Sequence, residues 1–274
     1  MKLARRLKRT VRRHVGVYVD EARDGATGDT TYEVDEPMEA AVTEYFTDID
    51  IPCRVMTEDA GVRDFGEDPE YIFLIDPLDG SRNARRGLPL YCCSIAAYEA
   101  GAGELSEAVC GVIERFDAPG EYVAVRGRGA SLNGKPISPS SKTTTEDAII
   151  ALGCHFVGAV PKFSDAALKL SELSARDDRS VMVKCYGSTA LELAFLASGK
   201  IDMIYDLRAA VGFRAGLKTY DVAAGILICR ESGAVVEYGR GSIPEELPVS
   251  PYIPVQILGA GNRVLFKRLT NTLR

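Results

Sequence analysis

Two aspartates lie three residues apart in the segment Asp76–Ser81 (DPLDGS), directly after an apolar run at 71–75 that predicts a strand. A proline-stiffened turn can aim both carboxylates at one place, where each would raise the pKa of the other unless a cation lies between them. Carboxylate oxygens suit Mg²⁺. Gly80 lacks a Cβ, so the backbone amides of Gly80 and Ser81 can hold a phosphate oxygen. The alternative is an ordinary turn, because these residue types all favour turns.

Further acidic residues follow other predicted elements. Glu58 and Asp59 follow a strand-like run at 53–56, and Asp221 opens a helical run at 222–225, where a carboxylate complements the helix dipole. Each has an ordinary alternative, a solvated turn or a helix N-cap. Together with Asp76 and Asp79, they supply the carboxylates of a multi-metal site, in which metals roughly 3.5–4 Å apart stabilise the attacking and leaving oxygens. The acids therefore predict metal-dependent phosphoryl transfer.

These motifs resemble those of the inositol monophosphatase family, part of a lithium-sensitive, metal-dependent phosphatase superfamily that includes fructose-1,6-bisphosphatases. The resemblance covers about Thr30 to Gly259, and its motifs stand in the family's order. They are Thr57-Glu58-Asp59-Ala60-Gly61, the Asp76 to Asn83 segment, Gly187-Ser188 with the helix that follows, and Tyr220-Asp221-Val222-Ala223-Ala224-Gly225. Any one of these motifs is weak, but all of them in order are specific.

The resemblance implies an α+β fold, a layered α-β-α-β-α sandwich of the inositol monophosphatase/fructose-1,6-bisphosphatase type, with two to three Mg²⁺ ions. The metal ligands that it implies are Glu58, Asp76 and the Leu78 carbonyl for the first ion, Asp76, Asp79 and Asp221 for the second, and Glu58 again for a weaker third. In the family, a threonine hydroxyl oriented by an aspartate helps to hold the attacking water. Ser81 and Asp35 occupy those two positions here, and with Glu58 they are the candidate catalytic residues.

The substrate is less directly encoded. Asp206-Leu207-Arg208 resembles the D-x-R of the archaeal-type branch, which accepts both inositol phosphate and fructose 1,6-bisphosphate. The resemblance implies that Asp206 contacts the sugar and that Arg208 binds a remote phosphate through a bidentate fork, helped by Lys184, Tyr186 or Arg214. A surface charge is the alternative for each basic residue. The assignment predicts that Arg208→Ala impairs hydrolysis of fructose 1,6-bisphosphate and spares inositol 1-phosphate.

We therefore expect Mg²⁺-dependent hydrolysis of a sugar or polyol phosphate monoester, fructose 1,6-bisphosphate, inositol 1-phosphate or both, by metal-activated water. A 3′-phosphonucleotide or NADP phosphatase on the same metal site is one alternative. An inactive family member that serves as a binding module is another, although such a protein has no need to maintain self-repelling carboxylates.

Hydrophobic spacing predicts the elements that position these residues. Asp35-Glu36-Pro37 starts a helix over about 36–47, and strands separated by glycine-rich turns continue to about residue 135, which predicts an antiparallel sheet. Strands and helices then alternate, and Thr189 with Glu192 predicts a capping box. We expect an N-terminal α+β domain over 1–140 with the metal and phosphate loop. A C-terminal α/β domain over 141–274 would carry the last metal ligand and the substrate contacts.

The 274 residues carry a net charge of −6 and include seven cysteines, which argues against nucleic acid as the main partner and against a zinc or disulfide framework. Seven cations among the first thirteen residues lie on one side of an amphipathic helix. A membrane or nucleic-acid surface is one interpretation, and a docked helix with a solvated basic face is the favoured one. No apolar run approaches the ~20 residues of a membrane span. We expect a cytoplasmic homodimer that binds a small phosphorylated sugar or polyol and no membrane.

Overall fold

The computed structural model describes residues 1–17, 22–24, 26, 30–153, 160–174, 181–206, 208, 216–239 and 245–273. Within them, the helices are α1 (Lys2–Val11), α2 (Glu36–Asp48), α3 (Ser81–Arg85), α4 (Val160–Ser174), α5 (Thr189–Ala197), α6 (Thr219–Ser232) and α7 (Arg263–Leu273). The strands are β1 (Ala22–Asp24), β2 (Thr30–Tyr32), β3 (Cys53–Thr57), β4 (Gly61–Phe65), β5 (Tyr71–Asp79), β6 (Cys92–Glu99), β7 (Cys110–Arg115), β8 (Glu121–Val125), β9 (Ala130–Leu132), β10 (Lys135–Pro136), β11 (Ile149–Gly153), β12 (Met182–Lys184), β13 (Met203–Asp206), β14 (Val235–Gly239) and β15 (Gln256–Ala260). A short ribbon of β1 and β2 stands apart from the two larger sheets.

An eight-stranded sheet in the order β10-β9-β8-β7-β6-β5-β3-β4 fills the first half of the described chain. Its neighbours pair antiparallel, as the sequence predicts, except that β3 and β5 are parallel. The exception arises because β4 returns along the outer edge of β3, which leaves β5 to enter on the inner edge. The carboxyl ends of β3 and β5 therefore meet at one edge of the sheet.

A five-stranded sheet in the order β12-β11-β13-β15-β14 fills the second half. Strands β12, β11 and β13 run parallel, with α4 and α5 in the connections between them, and β15 is antiparallel to both β13 and β14. This arrangement matches the predicted alternation of strand and helix. Its parallel register places Gly153 opposite Asp206 at the ends of β11 and β13.

Three apolar clusters show how the elements stack. Helices α1 and α2 pack on one face of the eight-stranded sheet, through residues such as Leu7, Met38 and Ile75. Helices α5 and α6 lie between the two sheets in the largest cluster, and α4 and α7 cover the outer face of the five-stranded sheet. The order of layers is α-β-α-β-α, which confirms the expected sandwich. The domain boundary expected near residue 140 stays a prediction. The two halves share a core, because the largest cluster contains side chains from both sides of that position.

The basic first helix is docked on the body. Leu3, Leu7 and Val11 are buried, while Arg6 pairs with two acids on α2 and Lys8 pairs with Glu114. The structure thus agrees with a docked helix that has a solvated basic face. Among the described residues, no helix has both the length and the apolar character to cross a membrane.

Candidate active site

The end of β5 brings two of the predicted ligands together. Residues three apart on a regular strand face opposite sides. The pairing of β5 with β6 shifts between Asp76 and Asp79, however, and the resulting bulge re-aims the side chain that follows it. One carboxylate oxygen from each of Asp76, Asp79 and Asp221 lies within 4.8 Å of the others. The Leu78 N–H donates to Asp76 Oδ1 at 2.9 Å, which fixes that carboxylate beside the bulge.

Asp221 reaches the cluster from the first turn of α6. The helix begins at Thr219, two residues before Asp221, where the sequence predicted a start at 222. The Lys218 N–H donates to Asp221 Oδ2 at 2.6 Å, so the carboxylate satisfies a backbone donor at the helix start. The Ser94 hydroxyl on β6 donates to the Tyr220 carbonyl at 3.1 Å and ties this turn to the strand beside Asp76.

Glu58 enters the site from the neighbouring strand. The parallel register of β3 and β5 places Thr57 opposite Ile75, so Glu58 and Asp76 are the next residues along adjacent strands. Both line the same cavity. Behind Glu58, the Glu39 carboxylate on α2 accepts from the Thr57 hydroxyl at 2.9 Å and from the Asp59 N–H at 3.1 Å. Glu39 therefore holds the side chain of the residue before Glu58 and the backbone of the residue after it, a role that was not predicted.

The acid cluster is electrostatically costly in the absence of a cation. Asp76 is 1% exposed, and burial raises its pKa well above the ordinary value; the nearby carboxylates of Glu58, Asp79 and Asp221 raise it further. Burial also raises the pKa of Asp79, against hydrogen bonds that favour its ionised form. Buried carboxylates that repel one another stay ionised only beside a counterion, and their oxygens are hard ligands. The donor set therefore fits a divalent cation such as Mg²⁺.

The Asp79 carboxylate is held by the start of α5. Its Oδ2 accepts from the Ser188 hydroxyl at 2.7 Å and from the Ala190 N–H at 2.7 Å. The predicted capping box of Thr189 and Glu192 is wrong, because α5 has Ser188 at its N-cap and Glu192 Oε1 accepts instead from the Tyr186 N–H at 3.2 Å. A side chain from β5 satisfies the backbone of α5 in its place.

The predicted phosphate loop turns at Gly80. This glycine has a φ of +85°, and a Cβ at its position would lie 2.8 Å from the Leu90 carbonyl oxygen, so only glycine fits. The Asn83 amide donates to the carbonyls of Leu90, at 2.9 Å, and Tyr186, at 3.0 Å, which anchors the loop to both halves of the chain. Ser81 is the first residue of α3.

A cavity of about 220 Å³ opens over these groups. Its wall includes all the predicted metal and phosphate ligands, namely Glu58, Asp76, Leu78, Asp79, Gly80, Ser81 and Asp221. Asp35 is not among the described residues of the wall. Its carboxylate accepts from the Tyr32 N–H at 2.7 Å, and within the described part of the chain no hydrogen bond joins it to Ser81. The structure thus places Asp35 in the turn before α2.

The residues predicted to contact the substrate do not all line the cavity, unlike the metal and phosphate candidates. Asp206 is fully buried beside Arg208, which does line the cavity. Lys184 is exposed on β12, and the Tyr186 ring packs edge-on against Phe195 at 5.8 Å; neither belongs to the described cavity wall. The Arg214 candidate lies outside the described residues. The structure therefore brings together the metal and phosphate candidates, but only Arg208 among the substrate candidates.

Glu192 provides a pH-dependent signature of this buried region. Its pKa is raised from 4.5 to about 8, first by burial and then by Asp206, while Arg208 opposes the shift. The folded protein keeps a proton that the unfolded chain releases, so this group's contribution to stability falls as pH rises between those two values. We expect Glu192→Gln to flatten that decline in urea midpoints measured from pH 5.5 to 8.5.

The matched control for this prediction is Glu67→Gln, at an exposed glutamate. It should leave the pH dependence of the urea midpoint as in the unsubstituted protein. A Glu192→Gln profile that parallels the unsubstituted protein across the range would mean that Glu192 titrates normally.

Comparison with known proteins places these observations in a family context. The sequence profile of the inositol monophosphatase family matches residues 1–273. The fructose-1,6-bisphosphatase/inositol-1-monophosphatase of Methanothermobacter thermautotrophicus is 31% identical over 256 residues, 91% of this chain and 85% of that protein. The Nus factor SuhB of Pseudomonas aeruginosa is 28% identical over 261 residues, 95% of this chain and 86% of that protein. The crystal structure of the extragenic suppressor protein suhB from Bartonella henselae has a TM-score of 0.76 at 24% identity, covering 100% of this chain and 96% of that chain, and so shares the fold.

Proposed function

We propose, since this chain belongs to the inositol monophosphatase family, that it is a Mg²⁺-dependent phosphatase acting on sugar or polyol phosphate monoesters. The main support for this proposal is the convergence of Asp76, Asp79 and Asp221 under a cavity whose wall also contains the glycine turn at Gly80. Repelling carboxylates beside a glycine turn on the same cavity wall are suited to hold a cation and a phosphate together.

The proposed ligands follow the cluster. Glu58, Asp76 and the Leu78 carbonyl would hold one Mg²⁺, and Asp76, Asp79 and Asp221 a second, with a weaker third beside Glu58. When bound, the ions would supply Lewis-acid stabilisation of the phosphoryl oxygens and a more acidic water. The charge and oxygen chemistry of the described side chains support this assignment.

The protein's own groups have separate proposed tasks. The backbone amides of Gly80 and Ser81 hold a phosphate oxygen, because both residues line the cavity beside the carboxylates. The Ser81 hydroxyl orients the attacking water. The Asp35 carboxylate accepts from the Tyr32 N–H through Oδ2, and to orient the Ser81 hydroxyl it would also have to accept from it, for which a carboxylate has further acceptor sites.

Fructose 1,6-bisphosphate and inositol 1-phosphate are the proposed substrates. The name of the Methanothermobacter relative, which pairs these two activities, supports the choice at 31% identity. A non-catalytic binding role is the second candidate, supported by relatives named Nus factor SuhB. The intact carboxylate cluster favours catalysis over that role.

A phosphate-release panel tests the proposal. Purified protein is given fructose 1,6-bisphosphate, inositol 1-phosphate, a 3′-phosphonucleotide and NADP, with Mg²⁺ or with excess EDTA. We expect release from one or both of the first two substrates, its loss in EDTA, and its return when Mg²⁺ is restored. Release only from the nucleotides would instead identify a nucleotide phosphatase, and no release from any compound would favour the binding role.

A further inference from the structure

Arg208 is bound by neighbouring protein groups at the edge of the cavity. Its Nε lies 3.0 and 3.2 Å from the two carboxylate oxygens of Asp206, and its Nη2 lies 2.8 Å from Asp206 Oδ2. The Arg208 N–H also donates to Asp206 Oδ1 at 2.9 Å. The charge of Arg208 is therefore balanced by a carboxylate that is itself fully buried.

The same guanidinium also reaches α5. Its Nη2 donates to Thr189 Oγ1 at 2.5 Å. Thr189 is 2% exposed and lies between Ser188 and Ala190, the two residues whose hydroxyl and N–H hold Asp79 Oδ2. A continuous chain of charge-assisted hydrogen bonds thus runs from Asp206 through Arg208 and Thr189 to the turn that holds Asp79.

The backbone makes room for the first member of this chain. Gly153 lies opposite Asp206 in the parallel pair of β11 and β13, and a Cβ at Gly153 would lie 2.2 Å from Asp206 Oδ2. The Asp206 carboxylate therefore packs directly over the glycine. The position of Asp206 is therefore fixed by Gly153 on β11 as well as by Arg208.

We infer that Asp206 and Arg208 are positioning residues that fix the first turn of α5 and, through it, the Asp79 carboxylate in the metal site. The inference rests on the proposed function, because it assigns Asp79 to a metal. It differs from the role expected from sequence, in which both residues contact the substrate. Partners that orient metal ligands typically change metal affinity by 10–100-fold when they are altered.

Thr189→Val is the mildest test, because it removes the hydroxyl that Arg208 contacts and keeps the side-chain shape. Mg²⁺ affinity is measured by isothermal titration calorimetry, which needs no substrate. We expect binding to weaken about 10-fold, Thr189→Ser to restore it, and kcat to recover at high Mg²⁺. The matched control is Thr270→Val in α7, a buried threonine whose hydroxyl donates to the Lys267 carbonyl.

A second pair of variants protects the test against misfolding. Arg208→Met combined with Asp206→Asn removes the ion pair without leaving a buried charge, a change that proteins often tolerate. Gly153→Ala displaces Asp206 with both charges retained. Both should weaken Mg²⁺ binding about 10-fold or more, and both should raise the Mg²⁺ requirement equally for the two proposed substrates.

The outcomes separate the alternatives. Unchanged Mg²⁺ affinity in Thr189→Val and in the double variant would overturn the inference. A loss confined to fructose 1,6-bisphosphate would overturn it too, and would return Arg208 to the remote phosphate. If the protein binds Mg²⁺ but hydrolyses no phosphate ester, the proposed function fails while the calorimetry still decides whether these residues position Asp79.

Discussion

Asp79→Asn is expected to lower kcat by about 10³-fold even at saturating Mg²⁺, since it removes several kcal/mol of metal-centred charge stabilisation. The substitution deletes a buried charge from the cluster with Asp76 and Asp221. An Asn oxygen can still accept a hydrogen bond from α5, so the local fold should survive. Asp221→Asn should act similarly, because its carboxylate faces the same point. Phosphate release as a function of Mg²⁺ concentration measures both effects.

Asp64→Asn is the matched control for these two substitutions. Asp64 lies on β4, 43% exposed, and pairs with Arg54 at 2.7 Å. Its removal should change kcat by no more than about twofold, because an exposed ion pair contributes little. Wild-type kcat in either Asp79→Asn or Asp221→Asn would show that the metal assignment is wrong.

Gly225→Ala is expected to destabilise the protein by about 1–3 kcal/mol, although alanine favours helices more than glycine does. A Cβ at Gly225 would lie 2.5 and 2.6 Å from Leu193 Cδ1 and Cβ, so α6 and α5 would have to separate. These helices carry Asp221 and the groups that hold Asp79, respectively. The unfolding free energy from urea titration measures the cost.

Gly101→Ala is the control for the effect of the methyl group itself. Nothing lies within 4 Å of a Cβ at that position, and its φ is not in the left-handed region. We expect a change within about 0.5 kcal/mol, as for an ordinary surface substitution. A Gly225→Ala protein as stable as the wild type would show that the two helices can adjust at no cost.

Local patterns predicted the elements well where spacing alone determines them. The helix expected over 36–47 spans Glu36–Asp48, and Glu58 directly follows β3 as expected. The strand expected over 71–75 instead continues to Asp79, so Asp76 and Asp79 lie within β5 and not in a turn after it. Periodicity shows which residues face a core, but turn-forming residues mark the end of a strand only approximately, because a bulge can carry the strand through them. The layered sandwich was predicted from the family resemblance, because no single segment determines the order in which the helix and sheet layers pack.

The contacts that orient the site escaped sequence reasoning for a physical reason. Asp79 and Ala190 are 111 residues apart, and such a pairing has no local signature. The bulge that re-aims Asp79 depends on a register shift against β6, which no property of the DPLDGS segment encodes. The D-x-R motif gave no sign that Asp206 is fully buried, because burial cannot be read from residue type. The homodimer and the cytoplasmic location remain predictions.

The helix layer between the two sheets makes folding of the two halves of the chain cooperative. Helices α5 and α6 come from the second half of the chain, yet they cover the inner faces of both sheets. A fragment ending near residue 140 would leave the apolar inner face of the eight-stranded sheet open to water. The two halves therefore depend on each other to complete a core, and the carboxylates from both can converge only after that shared core has formed. Formation of the carboxylate cluster is therefore coupled to folding of both halves of the chain.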